Sequence, residues 1–368
     1  MMNRMIFGNL AHRPIRSLIS IVAVALEVTM ILLIVGLSLG MLRDSRTRTA
    51  GIGADVIVLP PGSSFIAGLT GAPMPIKIGD VLAKLPHVKS VAPVVTQVTT
   101  AGTLEIIAGI DLPTYESMSG PFNFLAGGPF QAPDDVIVDD LFSQSKHAKV
   151  GDSIEILNRP FRISGIVEHG KGGRKFIPIS TLQDLIGAKD KATIFYLKLD
   201  DPANAEAVVK EIKALPGMER YVATSMAGYL AMMTTSNYPG LSTFIDVVVG
   251  ISVVIGFIVI FQAMYTAVME RTREIGILKA MGASKLYIVN VVLRETITLA
   301  LGGILLGVVV SLVTRAALAH KFPLLQVVVD GGWIVRAAFI AVAGAVAGAL
   351  YPAFKAAQKD PIDALAYE

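Results

Sequence analysis

The stretch VVVGISVVIGFIVIFQAMYTAVM, residues 247–269, contains no charged side chain between Asp246 and Glu270. A helix needs about 20 mainly apolar residues to cross the hydrocarbon core of a bilayer, so this stretch predicts a transmembrane helix over 243–269. Further long, predominantly apolar segments lie at 18–42, 287–314 and 333–354. The predicted fold is therefore an α-helical membrane protein with four transmembrane helices, arranged as one followed by three.

The composition of the chain supports this class. Of the 368 residues, 53% are hydrophobic and only 17% are charged, and the mean hydropathy is +0.62. Soluble domains typically carry about 25% charged residues, which argues against a wholly soluble enzyme or a disordered chain. The net charge of +3 gives no reason to expect a nucleic-acid partner. Cysteine is absent, which excludes disulfides, thiolate metal sites and cysteine nucleophiles.

The distribution of lysine and arginine predicts the orientation in the membrane. Ten such residues near the helix ends fall on one side and six on the other, although three of the six, Arg43, Arg46 and Arg48, directly follow the first helix. This favours a cytoplasmic location for the N-terminal segment 1–17, for 270–286 and for the C-terminus 355–368, with 315–332 as an outer loop. The first apolar segment is too long for the core of a signal peptide, so we expect it to be retained.

The region 43–242 is predicted to be an extracytoplasmic α+β domain. It contains short β-rich runs, such as Val88–Val98 and Phe161–Val167, and amphipathic helical segments, such as Ala203–Leu215. The GxSxG and HExxH motifs of hydrolases are absent from this region, and its histidines are scattered. We therefore expect neither catalytic residues nor a bound metal in this chain.

Two polar motifs in this domain allow alternative interpretations. Asp134, Asp135, Asp139 and Asp140 bracket a short apolar run, which fits strand ends and a helix cap better than a cation site. The segment GKGGRK, residues 170–175, is rich in glycine and basic residues but does not complete the GxxxxGK[ST] motif of a phosphate-binding loop and has no helix after it. A flexible turn between strands is the favoured interpretation of this segment.

The segment MERTREIGILKAMGASKLYIVNVVLRE, residues 269–295, begins with a dense cluster of charges directly after the second crossing. Ile275, Leu278 and Met281 recur at helical spacing, which predicts a short amphipathic helix that ends at Gly282, with Ser284 capping the next helix. Such a helix could serve only to anchor the loop at the membrane surface. It could also be a docking element.

ERTREIGILKAMGAS, residues 270–284, resembles the signature that follows the second crossing in MacB/FtsX-type permeases of ABC transporters. The arrangement of one helix, a large outer domain and three helices is similar as well. Further similarity lies in NLAHRPIRSLIS (9–20), in VGDSIEILNRPFRISGIVE (150–168) and in the terminal YPAFKAAQKDPIDALAYE (351–368). The resemblance covers nearly the whole chain and identifies region 43–242 as a MacB-like periplasmic core domain.

The resemblance implies a permease subunit in the bacterial inner membrane that pairs with a second copy or a close paralogue. A separate cytoplasmic ATPase, which binds ATP and Mg²⁺, would drive the outer domains to export or extract a substrate, and a periplasmic adaptor or substrate-delivery protein could assist. The alternative is a membrane-anchored receptor or scaffold that performs no transport. The resemblance assigns ATPase coupling to ten residues of the segment: Glu270, Arg271, Arg273, Glu274, Ile275, Gly276, Leu278, Lys279, Met281 and Gly282.

Polar and small residues inside the membrane segments are further candidates. A charged carboxylate is costly in the bilayer, so Glu27 is expected to face protein, either in contact with a substrate or second copy together with Met30, or hydrogen-bonded to Gln262 or Asn290. Two small-xxx-small patterns predict close helix packing. They comprise Gly303 with Gly307 and Gly344 with Gly348.

Overall fold

A computed structural model of the protein describes residues 14–63, 71–99 and 105–359. Most of the predicted N-terminal segment 1–17 lies outside the described residues, as does the end of the C-terminal segment from residue 360 onward. The chain forms two compact units. The first comprises residues 1–40, 240–320 and 327–368, and the second comprises 41–239 and 321–326.

The first helix, α1, runs from Pro14 to Ala50 and so continues past the predicted end of its apolar segment at residue 42. Hydropathy marks where the apolar side chains stop, whereas the backbone stays helical for two further turns, which contain three arginines, a good helix former. Asp44 and Arg48 lie one turn apart and form an ion pair at 3.0 Å, which supports these turns.

The second unit is built on a mixed β-sheet. Within its described residues, ten strands form one sheet in the order β12-β1-β11-β3-β4-β9-β6-β8-β5, with β7 paired to β8. The pairs β4–β9 and β6–β8 are parallel and the others antiparallel. These strands are β1 (Val56–Leu59), β3 (Val88–Thr99), β4 (Glu105–Ile110), β5 (Phe124–Gly127), β6 (Asp135–Asp139), β7 (Ser153–Ile156), β8 (Arg159–Val167), β9 (Lys175–Pro178), β11 (Ile194–Leu199) and β12 (Val222–Ser225). A separate two-stranded pair joins β2 (Met74–Pro75) to β10 (Lys191–Ala192).

Short helices cover this sheet. They are α2 (Ile78–Leu82), α3 (Leu112–Ser119), α4 (Asp140–Lys146), α5 (Ile179–Leu185), α6 (Ala205–Ala214) and α7 (Met226–Met232). The amphipathic pattern of α6 puts Val208, Val209 and Ile212 inward, where they pack in one cluster with the buried Phe195 of the sheet. The predicted α+β domain between the first and second membrane helices is confirmed.

The first unit is a helical bundle. It contains part of α1 together with α8 (Pro239–Glu270), α9 (Thr272–Ala280), α10 (Lys285–Lys321) and α11 (Gly331–Gln358). Among the described residues, four helices are long and apolar enough to cross a membrane, namely α1, α8, α10 and α11. The predicted set of four crossings is therefore confirmed.

Small residues set the packing of this bundle. Alanines recur every fourth residue along α11 and line its buried face, where small side chains let helices approach closely. They are Ala337, Ala341, Ala345, Ala349 and Ala353, each at most 2% exposed. A β-carbon on Gly303 or Gly307 of α10 would lie 2.8 Å or less from a backbone carbonyl oxygen of α1, and one on Gly348 of α11 would lie 2.9 Å from a carbonyl oxygen of α8. Gly344 is less crowded, since its nearest neighbour would be 3.9 Å away.

Candidate functional site

The segment between the second and third membrane helices folds as a short helix between two defined ends. At its start the Thr272 hydroxyl donates to the carbonyl oxygens of Val268 (3.2 Å) and Met269 (2.8 Å). The helix α9 stops before Gly282, whose φ of +93° is a conformation that β-carbons disfavour. The Tyr287 amide then donates to the Ser284 hydroxyl at 3.2 Å, so Ser284 caps α10. These features match the local structure that the sequence predicts.

The burial pattern of α9 corrects the predicted docking ridge. Ile275 is only 9% exposed, Gly276 is buried, and Leu278 packs against the core of the membrane unit. Of the three predicted ridge residues, only Met281 is open to solvent, at 72% exposed. Ile277, which the ridge did not include, is also exposed, at 45%. The apolar stripe points inward because the membrane helices offer it a partner within the same chain. Ile275 and Leu278 therefore attach α9 to the helical bundle and do not form an open ridge.

Two cations that the sequence assigns to the docking rim instead hold α9 in place. Arg271 donates through Nη1 to Glu295 Oε2 of α10 at 3.0 Å, and the two side chains are 12% and 4% exposed. At the other end of α9, Lys279 Nζ donates to the carbonyl oxygen of Ala357 at 2.9 Å and to that of Lys359. These oxygens lie in the last turn of α11 and at the residue that follows it, where a cation also interacts favourably with the helix dipole.

The exposed side of the segment carries the remaining predicted coupling residues. Glu270, Arg273 and Glu274 are exposed. Glu274 also lines a small cavity of about 50 Å³ together with Arg271 and Glu295. The polar face open to a partner therefore consists of acidic and basic groups side by side, with Ile277 and Met281 as its apolar part.

Glu295 is a residue of this site that the sequence analysis does not single out. It lies 24 positions from Arg271 in the sequence, so no helical spacing connects the two residues. The available signal is chemical: a carboxylate at the border of an apolar segment needs a partner, and the charge cluster after α8 could supply one.

Inside the membrane unit, Glu27 faces glycines and not the polar side chains proposed for it. Its side chain is 4% exposed. A β-carbon on Gly256 of α8 would lie 2.0 Å from its Oε2, and one on Gly344 of α11 would lie 3.9 Å from its Oε1. Oε1 is buried without a hydrogen-bond partner among the described residues. Asn290 is exposed and accepts a hydrogen bond from Arg294 instead, at 3.1 Å.

Met30 does not share the surroundings of Glu27. The side chain of Met30 is 39% exposed on the surface of the bundle, whereas Glu27 is enclosed within it. Thr29 faces inward and donates from its hydroxyl to the carbonyl oxygen of Gly307 at 3.2 Å. Glu27 and Met30 therefore lie in different surroundings within the bundle.

Aspartates of the cluster 134–140 in the second unit stabilise local structure by accepting hydrogen bonds. Asp135 Oδ2 accepts hydrogen bonds from the amides of Gln131 (2.7 Å) and Ala132 (2.9 Å), and Arg162 donates to Oδ1 at 3.2 Å. Burial by itself would raise the pKa of Asp135, but these donors outweigh it and hold the pKa below the ordinary value. In the part of the chain that the structure describes, no group of three or more histidine, aspartate or glutamate residues is arranged to hold a metal ion.

Comparison with known families assigns both regions of the chain. Residues 17–215 match the MacB-like periplasmic core domain, and residues 247–361 match the FtsX-like permease C-terminal domain. The chain belongs to the MacB/FtsX-type family of ABC transporter permeases. The family assignment therefore covers most of the α+β domain, the candidate coupling segment and the membrane helices that contact it.

Individual members of this family are similar over the full chain. The macrolide export ATP-binding/permease protein MacB of Shewanella sp. (strain W3-18-1) is 27% identical over 97% of the chain, and that of Bdellovibrio bacteriovorus is 25% identical over 98%. The chain spans 59% and 61% of the length of these two relatives. Among solved structures, the periplasmic region of MacB from Actinobacillus actinomycetemcomitans is 19% identical, with a TM-score of 0.39, over 50% of this chain and 94% of that one.

Proposed function

We propose that this permease couples ATP hydrolysis by a cytoplasmic ABC ATPase to motion of its outer domain, as one half of a dimer with a second copy or a close paralogue. The motion would export or extract a substrate at the outer face of the inner membrane. ATP and Mg²⁺ are assigned to the ATPase, because the sequence of this chain contains no phosphate-binding loop of the P-loop type.

The observation that carries this proposal is the attachment of α9 to two different membrane helices. The Arg271–Glu295 ion pair joins its start to α10, and the Lys279 hydrogen bonds join its end to the last turn of α11. A docked ATPase that pushes on such a helix would move α10 and α11 with it. A helix that only lies at the membrane surface would not require a buried ion pair, which stabilises little by itself but fixes one geometry.

The exposed face of α9 has the chemistry of a docking surface. Met281 and Ile277 supply apolar contact, and the charged side chains of Arg273 and Glu274 flank them. Charges at the rim of an interface orient the partner and accelerate its association, and their effect weakens as salt increases. We therefore assign ATPase recruitment to this face, with α9 oriented toward the cytoplasm as the ten-to-six excess of basic residues on its side of the membrane favours.

The proposal is tested by co-purification of the ATPase with the full chain from native membranes. Glu274→Lys reverses a charge on the exposed face of α9, and we expect it to reduce the ratio of ATPase to permease, most strongly at low salt. Glu155→Lys makes the same reversal at an exposed position of β7 and serves as the matched control. Equal recruitment by the two variants would remove this face from the interface. A wild-type chain that captures an outer ligand but no ATPase would support the receptor alternative.

A further inference from the structure

The loop Gly170–Arg174 is a turn between strands, as its composition predicts, since it connects β8 to β9, and it makes hydrogen bonds on two sides. Its first glycines adopt positive φ, +112° at Gly170 and +81° at Gly172, which explains why glycine occupies these positions. The loop is enclosed on two sides within the second unit. The α3 side and the α1 side each contribute hydrogen bonds to it.

On the α3 side, Lys171 fastens the loop to the end of that helix. Its Nζ donates to the carbonyl oxygens of Ser119 (3.0 Å), Gly120 (2.9 Å) and Pro121 (2.6 Å). The Tyr115 hydroxyl donates in return to the carbonyl oxygen of Lys171 at 3.0 Å. A lysine that meets three backbone carbonyls at a helix end is held in one position, because each contact restricts its flexible stem.

On the α1 side, hydrogen bonds join the loop to the last turn of the helix. The Gly172 amide donates to the carbonyl oxygen of Arg48 at 2.8 Å, and Arg48 Nη1 donates back to the carbonyl oxygen of Gly172 at 3.1 Å. The backbones come so close that a β-carbon on Gly51 would lie 1.8 Å from the carbonyl oxygen of Gly170. Only glycine can occupy position 51 at this separation.

Arg174 connects the end of α1 to the end of β6. Its Nη2 donates to Asp44 Oδ2 of α1 at 2.8 Å, and its Nη1 donates to Asp139 Oδ2 at the end of β6 at 3.0 Å. The Asp139 amide also donates to the carbonyl oxygen of Arg174 at 3.0 Å. Asp139 is fully buried, while Asp44 and Arg174 are 12% and 19% exposed, so solvent screens these pairs little.

We propose that Asp44, Arg174 and Asp139, together with the Arg48–Gly172 hydrogen bonds, form a joint through which α1 moves the outer domain. This inference rests on the proposed function. The alternative route for force is the covalent connection from Ala50 to β1, which contains Gly53 at a φ of +74° and is a bent backbone segment. A planar guanidinium that bridges two carboxylates resists rotation, and it acts on β6 and β9, which are neighbours within the sheet. Asp44 and Arg174 are thus positioning residues for force transmission.

The joint is tested in the full chain, reconstituted in lipid nanodiscs with its ATPase. Spin labels at Thr47→Cys and Glu155→Cys report the attachment of α1 to the domain, and the chain contains no other cysteine. Asp44→Asn removes the carboxylate on the helix and leaves the Arg174–Asp139 pair intact, so we expect the narrow distance distribution of the wild type to broaden. Arg46→Gln changes an exposed cation of the same turns and should leave the distribution narrow.

A second measurement reports whether ATP hydrolysis moves the outer domains. A single label at Glu155→Cys in each copy of the dimer follows ATP-dependent movement of the two outer domains, alongside the rate of ATP hydrolysis. We expect Asp44→Asn to lose this distance change while ATP hydrolysis continues, because α9 is untouched. Arg174→Lys keeps a cation beside Asp139 but cannot bridge both carboxylates, and it should show the same loss if Asp44→Asn folds poorly.

Each outcome decides the proposal. An unchanged distribution in both variants would overturn the joint, and a broadened distribution with normal ATP-dependent movement would overturn its role in transmission. A wild-type protein that shows no ATP-dependent movement would contradict the proposed function itself. In that case the first label pair would still report whether α1 is fixed to the domain, so the two failures are distinguishable.

Discussion

The guanidinium of Arg271 lies 3.0 Å from the carboxylate of Glu295, and both side chains are almost completely withdrawn from solvent. The pair connects the residue that precedes α9 to the buried face of α10. Ile275 packs into the same region, which gives the ion pair an apolar surrounding. Two charges in such surroundings depend on each other, because removing either one takes a direct ion-pair partner away from the other.

This dependence predicts the behaviour of single and double variants. Removing one partner of a buried pair typically costs about 3–5 kcal/mol, so Arg271→Leu and Glu295→Leu should each lower the stability of the detergent-solubilised permease strongly. The double variant should lose much less stability than the two single variants lose together, since it removes both charges of the pair. Thermal unfolding of all four proteins measures this coupling. Additivity of the two single effects within about 0.5 kcal/mol would contradict a direct interaction.

The contact between Glu27 and Gly256 predicts a steric effect with a specific rescue. Gly256→Ala places a β-carbon 2.0 Å from Glu27 Oε2, so the enclosed Glu27 side chain or the helices must move, and overpacking of this kind typically costs about 1–3 kcal/mol. Glu27→Ala in the same chain removes the clash and should recover the thermal stability of the Glu27→Ala single variant. Gly250→Ala is the matched control, because nothing lies within 4 Å of a β-carbon at that position of α8. Similar losses from both glycine variants would point to a general effect of alanine in α8.

The fold could be predicted from the sequence wherever one physical signal dominates. Length and apolarity identify the four crossings, and alternation identifies β8, for which the sequence predicts Phe161–Val167 and the structure gives Arg159–Val167. The elements that escape prediction are short and weakly patterned. The strand β5, Phe124–Gly127, lies in a segment that its glycines and prolines assign to a loop, and its pairing with β8 comes from tertiary contact.

The candidate site was less predictable, for a reason that α9 illustrates. Helical spacing correctly groups Ile275 and Leu278 on one face of a helix. Spacing does not say what that face contacts, and here the partner is the core of the same chain. The buried pairs Arg271–Glu295 and Arg174–Asp44 join residues 24 and 130 positions apart. Local patterns carry no information about such contacts.

Asp135 predicts how the outer domain responds to acid. Burial raises the pKa of Asp135, but its hydrogen bonds and Arg162 together lower that pKa by more. The pKa in the folded domain therefore lies below the ordinary value of about 4. A carboxylate with a lowered pKa stabilises the fold above its ordinary pKa, and this contribution is lost as the pH falls toward the folded value. Asp135→Asn should therefore make the loss of stability below about pH 4 shallower. Arg162→Gln removes one of the groups that lower the pKa and should have a smaller effect in the same direction.

This acid response is measured by urea unfolding of the full chain at a series of pH values. A fluorophore on Gln144→Cys, an exposed position of α4, reports the second unit alone. An unfolding midpoint that falls equally steeply with acid in wild type and Asp135→Asn would contradict the assignment.

The orientation of the chain in the membrane gives the last prediction. If the excess of basic residues marks the cytoplasmic side, Met281 faces the cytoplasm and Gln144 lies outside. Both positions are exposed, and the cysteine-free sequence provides a background without competing thiols. In spheroplasts, an impermeant maleimide should label Gln144→Cys directly but should label Met281→Cys only after the membrane is disrupted. The two variants control each other, because a leaky membrane labels both and an occluded thiol stays unlabelled after disruption. Labelling of Met281→Cys alone in intact spheroplasts would invert the topology, and α9 could then no longer receive a cytoplasmic ATPase.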